Sequence, residues 1–219
     1  MGLFTRAAPA AAAWEELALP WRSAFSLAWE AYRVRTVPVG AVLVDDSGRI
    51  VARARNHVYG DAGPVLGGIL AHAEVIALAR LSPTERHESL TLYTTHEPCG
   101  LCIGAATAAT IGSLHYAGRD PYAGAASTPL PSNAHVRRLP LSMTGPLPGP
   151  FGLLASVLPV ELFLRINPDG HLVKTYRDAA PEVVEAAEAL LESDVLRRAS
   201  GRRTRLDTVL PQIWDVLGA

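Results

Sequence analysis

Ala71-His72-Ala73-Glu74 and Glu97-Pro98-Cys99-Gly100-Leu101-Cys102 are the two stretches on which the reading of this chain turns. His72, Cys99 and Cys102 have the donor types and the count of a catalytic zinc site. Three protein ligands leave the fourth tetrahedral position open, whereas a structural site closes it with a fourth residue. Glu74 is then the proton carrier. Cys99 and Cys102 stand three apart at a predicted helix start, so their sulfurs share a face and can grip one ion. The helix N-terminus favours their thiolate forms. His72 and Glu74 lie roughly 200° apart on a regular helix that turns about 100° per residue, so both reach one metal only from the helix end. Two helix N-termini must therefore converge. Two adjacent parallel strands feeding two crossover helices would achieve this, at the carboxyl edge of the sheet, where open α/β folds bind ligands.

Working outward, Pro20 to Arg33 carries Trp21, Phe25, Ala28 and Tyr32 at three-to-four spacing and predicts an amphipathic helix. Val37 to Asp45 and Arg49 to Asn56 read as strands joined by the turn Asp46-Ser47-Gly48. Tyr59 to Gly68 reads as a loop, and the spacing predicts a helix over about Leu70 to Leu81. Leu90 to Thr95 is a strand, Cys99 to about Thr110 an alanine-dense helix, and Ser113 to Ala117 a short strand. This order predicts an α/β fold, a three-layer α/β/α sandwich, with a fifth strand around Val136 to Met143 completing a mixed five-stranded sheet. Further on, Gly152 to Ile166 is an apolar core element, Leu172 to Tyr176 reads as a strand, and Pro181 to Arg198 reads as one helix.

The 219 residues are 49% hydrophobic and 19% charged, enough for one sizeable core with an appendage. No apolar run reaches the roughly 20 residues of a bilayer span, and the most apolar segment, Phe151 to Ile166, contains Pro159, Glu161 and Arg165. No membrane association is expected. The first residues lack an apolar signal core, and both cysteines of the chain fall in the Cys-x-x-Cys, so a reducing, cytoplasmic location is expected. A net charge of -1 offers no global attraction for nucleic acid, but Arg197, Arg198, Arg202, Arg203 and Arg205 form a local basic cluster. That cluster reads either as a solvated helix end or as an RNA contact. The Cys-x-x-Cys has its own alternatives, a redox pair or a structural zinc knuckle with His96 as the nearest further ligand. His57, His87, His115, His135 and His171 lack metal spacing; all but His57 read as ordinary histidines, and His57 gains interest only from its neighbour Asn56.

The run Val37-Pro38-Val39-Gly40-Ala41-Val42-Leu43-Val44, then Asn56, the two metal motifs, Leu92-Tyr93-Thr94-Thr95 and Gly104-Ala105 give the chain a family likeness. It resembles the cytidine and deoxycytidylate deaminase superfamily of zinc-dependent nucleoside and nucleobase deaminases, most closely the branch of tRNA adenosine and guanine deaminases. Ala117-Gly118-Arg119-Asp120 is similar to the end of that branch's fourth strand. The resemblance covers roughly residues 21 to 120. It implies a Zn2+ cofactor on His72, Cys99 and Cys102, Glu74 as general acid and base, and Asn56 hydrogen-bonding the base, although Asn56 also reads as a plain turn residue. It further implies that the backbone near Val39 to Ala41, together with Ala71, lines the pocket, that Glu97 shapes its mouth, and that the alanine-rich helix supports a homodimer.

Two departures bear on substrate. Gly68-Ile69-Leu70 stands where the branch tends to have Asp-Pro-Thr, and His96 stands where it has an apolar or small residue. The chain beyond Pro121 is also longer than the tail of the tRNA enzymes, long enough to cap the site against a macromolecule. The expectation is a deaminase domain over residues 20–145 and a partly helical extension over 146–219, serving as lid or oligomer surface. The expected reaction is hydrolytic release of ammonia from a small amino-purine or amino-pyrimidine, as nucleobase or nucleoside. The rivals are a tRNA adenosine deaminase and a non-catalytic accessory protein with a zinc-stabilised deaminase-like fold.

Overall fold

The computed structural model describes residues 4–59, 68–127 and 141–218, with side chains from residue 9 onward. Most of the expected loop at 59–68, and the first part of the expected fifth strand, fall outside these residues.

Helix α1 (Phe4–Glu16) leads into α2 (Leu19–Arg33), whose first turn holds Pro20, a residue whose fixed φ suits that position. Trp21, Ala24, Phe25, Ala28, Trp29, Ala31 and Tyr32 form its buried face. That face lies hard against strand β1 (Gly40–Val44): a Cβ on Gly40 would stand 2.1 Å from the Ala24 carbonyl oxygen, so only glycine allows the approach. Strand β2 (Ile50–Arg55) returns antiparallel to β1. Their turn is fastened by Asp45 Oδ1, which accepts from the amides of Ser47 and Arg49 at 3.1 and 3.0 Å, while Gly48 supplies a φ of +82°.

A 3-10 turn over Gly68–Leu70 precedes α3 (Ala73–Leu78). Then follow β3 (Thr91–His96), α4 (Gly100–Ala108), β4 (Ser113–Gly118) and β5 (Ser142–Thr144). The sheet order is β2-β1-β3-β4-β5, with β1 antiparallel to both neighbours and β3, β4 and β5 parallel. This is the mixed five-stranded sheet expected, with one correction: β2 and β3, which precede the two metal-bearing helices, share a direction but are not adjacent, because β1 lies between them. β1 is buried along its whole length, consistent with cover on both faces.

One face packs Ile76, Ala77 and Leu78 of α3 and Ala106 of α4 against Leu43, Leu92 and Leu114. The other carries α2 and α5 (Pro150–Ile166), around which α6 (His171–Ala179), α7 (Pro181–Ser193), α8 (Val195–Gly201) and α9 (Leu206–Ile213) gather. α5 is apolar and buried on nearly every side, as befits a helix surrounded by protein. α1 joins this layer through Ala10 and Trp14, whose ring lies 6.0 Å from that of Phe151.

Three sequence expectations are corrected here. Leu172 to Tyr176 lies in helix α6: Val173 and Tyr176, three apart, both turn fully inward, and among the described residues no strand pairs with this segment. The single helix expected over Pro181 to Arg198 is two, separated by Asp194 at a φ of +55°. The helix expected to reach Leu81 ends at Leu78. Among the described residues no helix is long and apolar enough to cross a membrane.

Candidate metal centre

His72 and Cys99 occupy matching places, each the extended residue immediately before a helix: His72 (φ -70°, ψ 145°) before α3 and Cys99 (φ -76°, ψ 174°) before α4. Cys102 follows in the first turn of α4 and is buried. The end-on approach demanded by the His-x-Glu spacing is therefore met by taking His72 off the helix. His72 Nδ1 stands 3.7 Å from Cys99 Sγ and 3.4 Å from Cys102 Sγ, and the two sulfurs are 3.6 Å apart. A tetrahedral zinc with bonds of about 2.3 Å to sulfur and about 2.0–2.1 Å to nitrogen sets its ligand atoms about 3.5–3.8 Å apart. The three donors thus fit one such ion, and they form the one cluster of this kind among the described residues. His96 is not in it, which removes the closed arrangement with His96 as the further ligand.

Contact with Cys102 and then with His72 pulls the Cys99 thiol down to about 4, against burial. Cys102 is pushed up, first by Cys99 and then by its own burial. Two touching thiols share one negative charge in this way, and a dication at the site is what allows both to lose their protons.

Glu74 is 3% exposed, and its Oε1 accepts a 2.7 Å hydrogen bond from the Thr94 hydroxyl. The carboxylate is near enough to raise both the Cys102 thiol and the His72 imidazole, so it lies beside the donor triad. Thr94 sits opposite Ala41 in the β1–β3 ladder, which brings Ala41 next to this pair. Ala41 is paired with β2 as well, so its main chain serves the sheet. Asn56 is buried at the end of β2, its Oδ1 accepting from the Thr36 hydroxyl at 3.0 Å and the Val58 amide at 2.8 Å. That fixes the amide, and its Nδ2 has no acceptor among the described residues. The Ala71 carbonyl accepts from the His57 amide at 2.9 Å, tying the Asn56 turn to the start of the His72 motif.

Glu97 is committed to structure: its carboxylate accepts from the amides of Asp120 and Ala126 at 3.1 and 3.2 Å and folds the 119–126 loop over the Cys99 turn. The loop is closed by Ala125 donating to the Pro98 carbonyl and by the Cys99–Gly124 bridge. Sequence reasoning gave no role to Thr94, Thr36 or Asp120. Thr94 had one usable signal, its place two residues along the strand from Leu92, on the face that meets α3.

Residues 15–117 match the family described as the cytidine and deoxycytidylate deaminase zinc-binding region. Over 105 residues the chain is 40% identical to the tRNA(Ile)-lysidine synthase of Deinococcus radiodurans, a match covering 47% of this chain and 17% of that protein. It is 42% identical over 93 residues to the tRNA-specific adenosine deaminase of Agrobacterium fabrum, covering 41% of this chain and 57% of the relative. A protein solved in complex with 2,6-diaminopurine superposes with a TM-score of 0.51 at 26% identity, over 67% of this chain and 82% of that one. The chain spans less than two thirds of the length of the curated relatives it matches first.

Proposed function

We propose, for a chain whose residues 15–117 belong to the zinc-binding deaminase superfamily, the hydrolytic deamination of a small amino-substituted purine or pyrimidine, as base or nucleoside, with release of ammonia. The observation that carries this reading is a buried carboxylate, Glu74, held by Thr94 beside a His-Cys-Cys donor triad that fits zinc. A dication on His72, Cys99 and Cys102 would supply Lewis acidity to the attacking water. Glu74 takes the proton of that water as it adds to the ring carbon bearing the amino group. It returns the proton to the neighbouring ring nitrogen, and a second proton reaches the departing amine by the same route. Water and the amine are consumed, and the carbonyl compound and ammonia are formed. Asn56 offers its Nδ2 to an acceptor on the base, the elements around Ala41 and Ala71 line the pocket, and Glu97 shapes its mouth through the loop it holds.

A small substrate is favoured by the 2,6-diaminopurine held in the structural relative and by the packing of α5 and α6 against the ends of β3 and β4. An RNA substrate has the adenosine deaminase relative in its favour. Within the basic cluster, however, Arg197 is engaged by Asp194 and Arg205 by Asp207. The same reading divides the chain at about residue 145, expects a homodimer through α4, and places the protein in a reducing compartment that preserves the thiols.

The test is ammonia release by zinc-loaded protein from free bases, nucleosides and nucleotides, with a tRNA anticodon stem-loop alongside. Turnover of one small compound is expected. Turnover of the RNA alone, with affinity falling steeply in salt, would replace the small-molecule reading. Bound zinc without ammonia from any substrate would make the domain an accessory fold.

A further inference from the structure

The 119–126 loop and the Cys99 turn are laced to each other, and the loop is also held from below by helices of the C-terminal layer. The Arg119 carbonyl, at the end of β4, accepts two hydroxyl hydrogens: from Ser156 of α5 at 2.9 Å and from Tyr176 of α6 at 3.0 Å. Tyr176 is fully buried, and its hydroxyl also lies 3.5 Å from His96 Nε2. On the same side of the ring, Asp120 Oδ2 is 3.5 Å from Nε2.

The rest of the His96 environment comes from α5. Pro159 has no N–H, so the helix leaves the Ala155 carbonyl, four residues back, without its usual donor. His96 faces that carbonyl, although its Nδ1 completes no well-formed hydrogen bond among the described residues. His96 ends β3 three residues before Cys99, and Arg119 opens the loop that Glu97 and Cys99 hold in turn. A path of hydrogen bonds therefore runs from the Tyr176 hydroxyl through the Arg119 carbonyl, Asp120 and Glu97 to the Cys99 turn.

We propose that Tyr176 is a positioning residue for the metal centre: its hydroxyl, with that of Ser156, sets the place of the 119–126 loop and through it the Cys99 thiolate. The C-terminal helices thereby complete the centre from beneath. The inference rests on the deaminase reading for what the metal does, and on the donor triad alone for where the metal sits.

Tyr176→Phe removes the hydroxyl and keeps the ring in the core. Tyr32→Phe is its control, since the Tyr32 hydroxyl is likewise buried, bonds Glu161 at 2.7 Å and belongs to the same apolar cluster, with no link to the Cys99 turn. The readouts are the zinc dissociation constant from chelator competition and the visible spectrum of the cobalt(II)-loaded protein, whose bands report thiolate coordination. Tyr176→Phe is expected to weaken zinc binding on the order of fivefold, the size of one lost hydrogen bond, and to shift the cobalt bands, while Tyr32→Phe leaves both unchanged. Should Tyr176→Phe fail to fold, Ser156→Ala removes the other donor to the same carbonyl and is expected to act in the same direction. Unchanged affinity and spectrum in both loop-side variants would overturn the proposal. So would equal weakening in Tyr32→Phe, which would mark general softening of the core. If no variant and no wild-type protein releases ammonia, the deaminase reading fails while these metal readouts still decide this one.

Discussion

Two buried carboxylates, Glu74 at the start of α3 and Glu161 inside α5, show how differently the two faces of this sheet treat a charge. Each accepts a 2.7 Å hydrogen bond from a hydroxyl, Thr94 in one case and Tyr32 in the other. Glu161 is fully buried and matched by Arg165, whose guanidinium bonds it through Nε at 2.7 Å and reaches on to Asp194. Burial, and then the Glu161 charge, push the Tyr32 hydroxyl far above its ordinary range, so that network holds its protons fixed. Glu74 has no ion pair among the described residues, and its charge is felt by His72 and Cys102 of the donor triad. A buried carboxylate with its own arginine is a structural fastening. One left beside a triad of metal donors has lone pairs available for the proton transfers proposed for it.

The contrast is sharpest under the same substitution. Glu74→Gln keeps the shape and the Thr94 contact but cannot carry a proton, so turnover should fall by at least about 10³-fold while bound zinc, measured by metal analysis, stays at the wild-type level. Retained turnover would sink the assignment of Glu74. Glu161→Gln should do the reverse. It leaves Arg165 without its buried charge partner, with only the longer contact to Asp194 remaining, and should cost about 2–4 kcal/mol in denaturant unfolding, with turnover per bound zinc unchanged. A Glu161 variant of normal stability would show that the pair contributes nothing net, and the contrast between the two faces would lose its structural half.

The same division explains what the sequence could tell. The metal face was legible because ligand chemistry restricts both residue type and spacing: two thiolates three apart, and a histidine two before a glutamate, leave few other readings. The β1–β2 hairpin was legible because Asp45 to Gly48 carry their turn chemistry locally. Thr94, 20 residues from Glu74, and Thr36, 20 residues from Asn56, are brought to their partners by sheet packing alone, and a threonine in a strand announces no partner. On the other face most residues are apolar, and burial has no spacing rule beyond the period of the helix. Leu172 to Tyr176 is too short to separate a period of 2 from one of 3.6, and its valine, threonine and tyrosine suit a strand. What decided for α6 is the contact of Val173 and Tyr176 with the core. The alanine-rich first helix gave no warning of Ala10 and Trp14, whose burial depends on Phe151 and on α9, contributed from the far end of the chain.

Thr94→Val tests the joint between the strand and the carboxylate proposed to carry the proton. Valine fills the same space and removes the donor, so Glu74 should lose its fixed orientation, with kcat about tenfold lower and KM close to unchanged, since the hydroxyl holds Glu74 and not the base. Thermal stability should change far less than in Glu161→Gln. A rise in KM with kcat preserved would place the Thr94 hydroxyl on the substrate and break the parallel with Tyr32.

The smallest expected effect concerns the pair that joins the two faces, His96 and Asp120. Burial opposes a charged His96, but the hydrogen bond and charge of Asp120, and behind them the charge of Glu74, prevail and raise it above its ordinary value. Burial likewise opposes the Asp120 carboxylate, and the His96 contact outweighs it and lowers it. A raised histidine contributes stability that is complete below its unfolded pKa of about 6.5 and is lost as pH rises through the folded value. A depressed aspartate contributes stability that is complete above its unfolded pKa of about 3.9 and is lost as pH falls through the folded value. The pair is therefore strongest between about pH 4 and 6.5. With excess zinc to keep the centre loaded, the Tm difference between the wild type and Asp120→Asn should be largest near pH 6 and narrow toward pH 9. A difference that stays constant across that range would show His96 to be neutral throughout. The link between the faces would then consist of hydrogen bonds without charge.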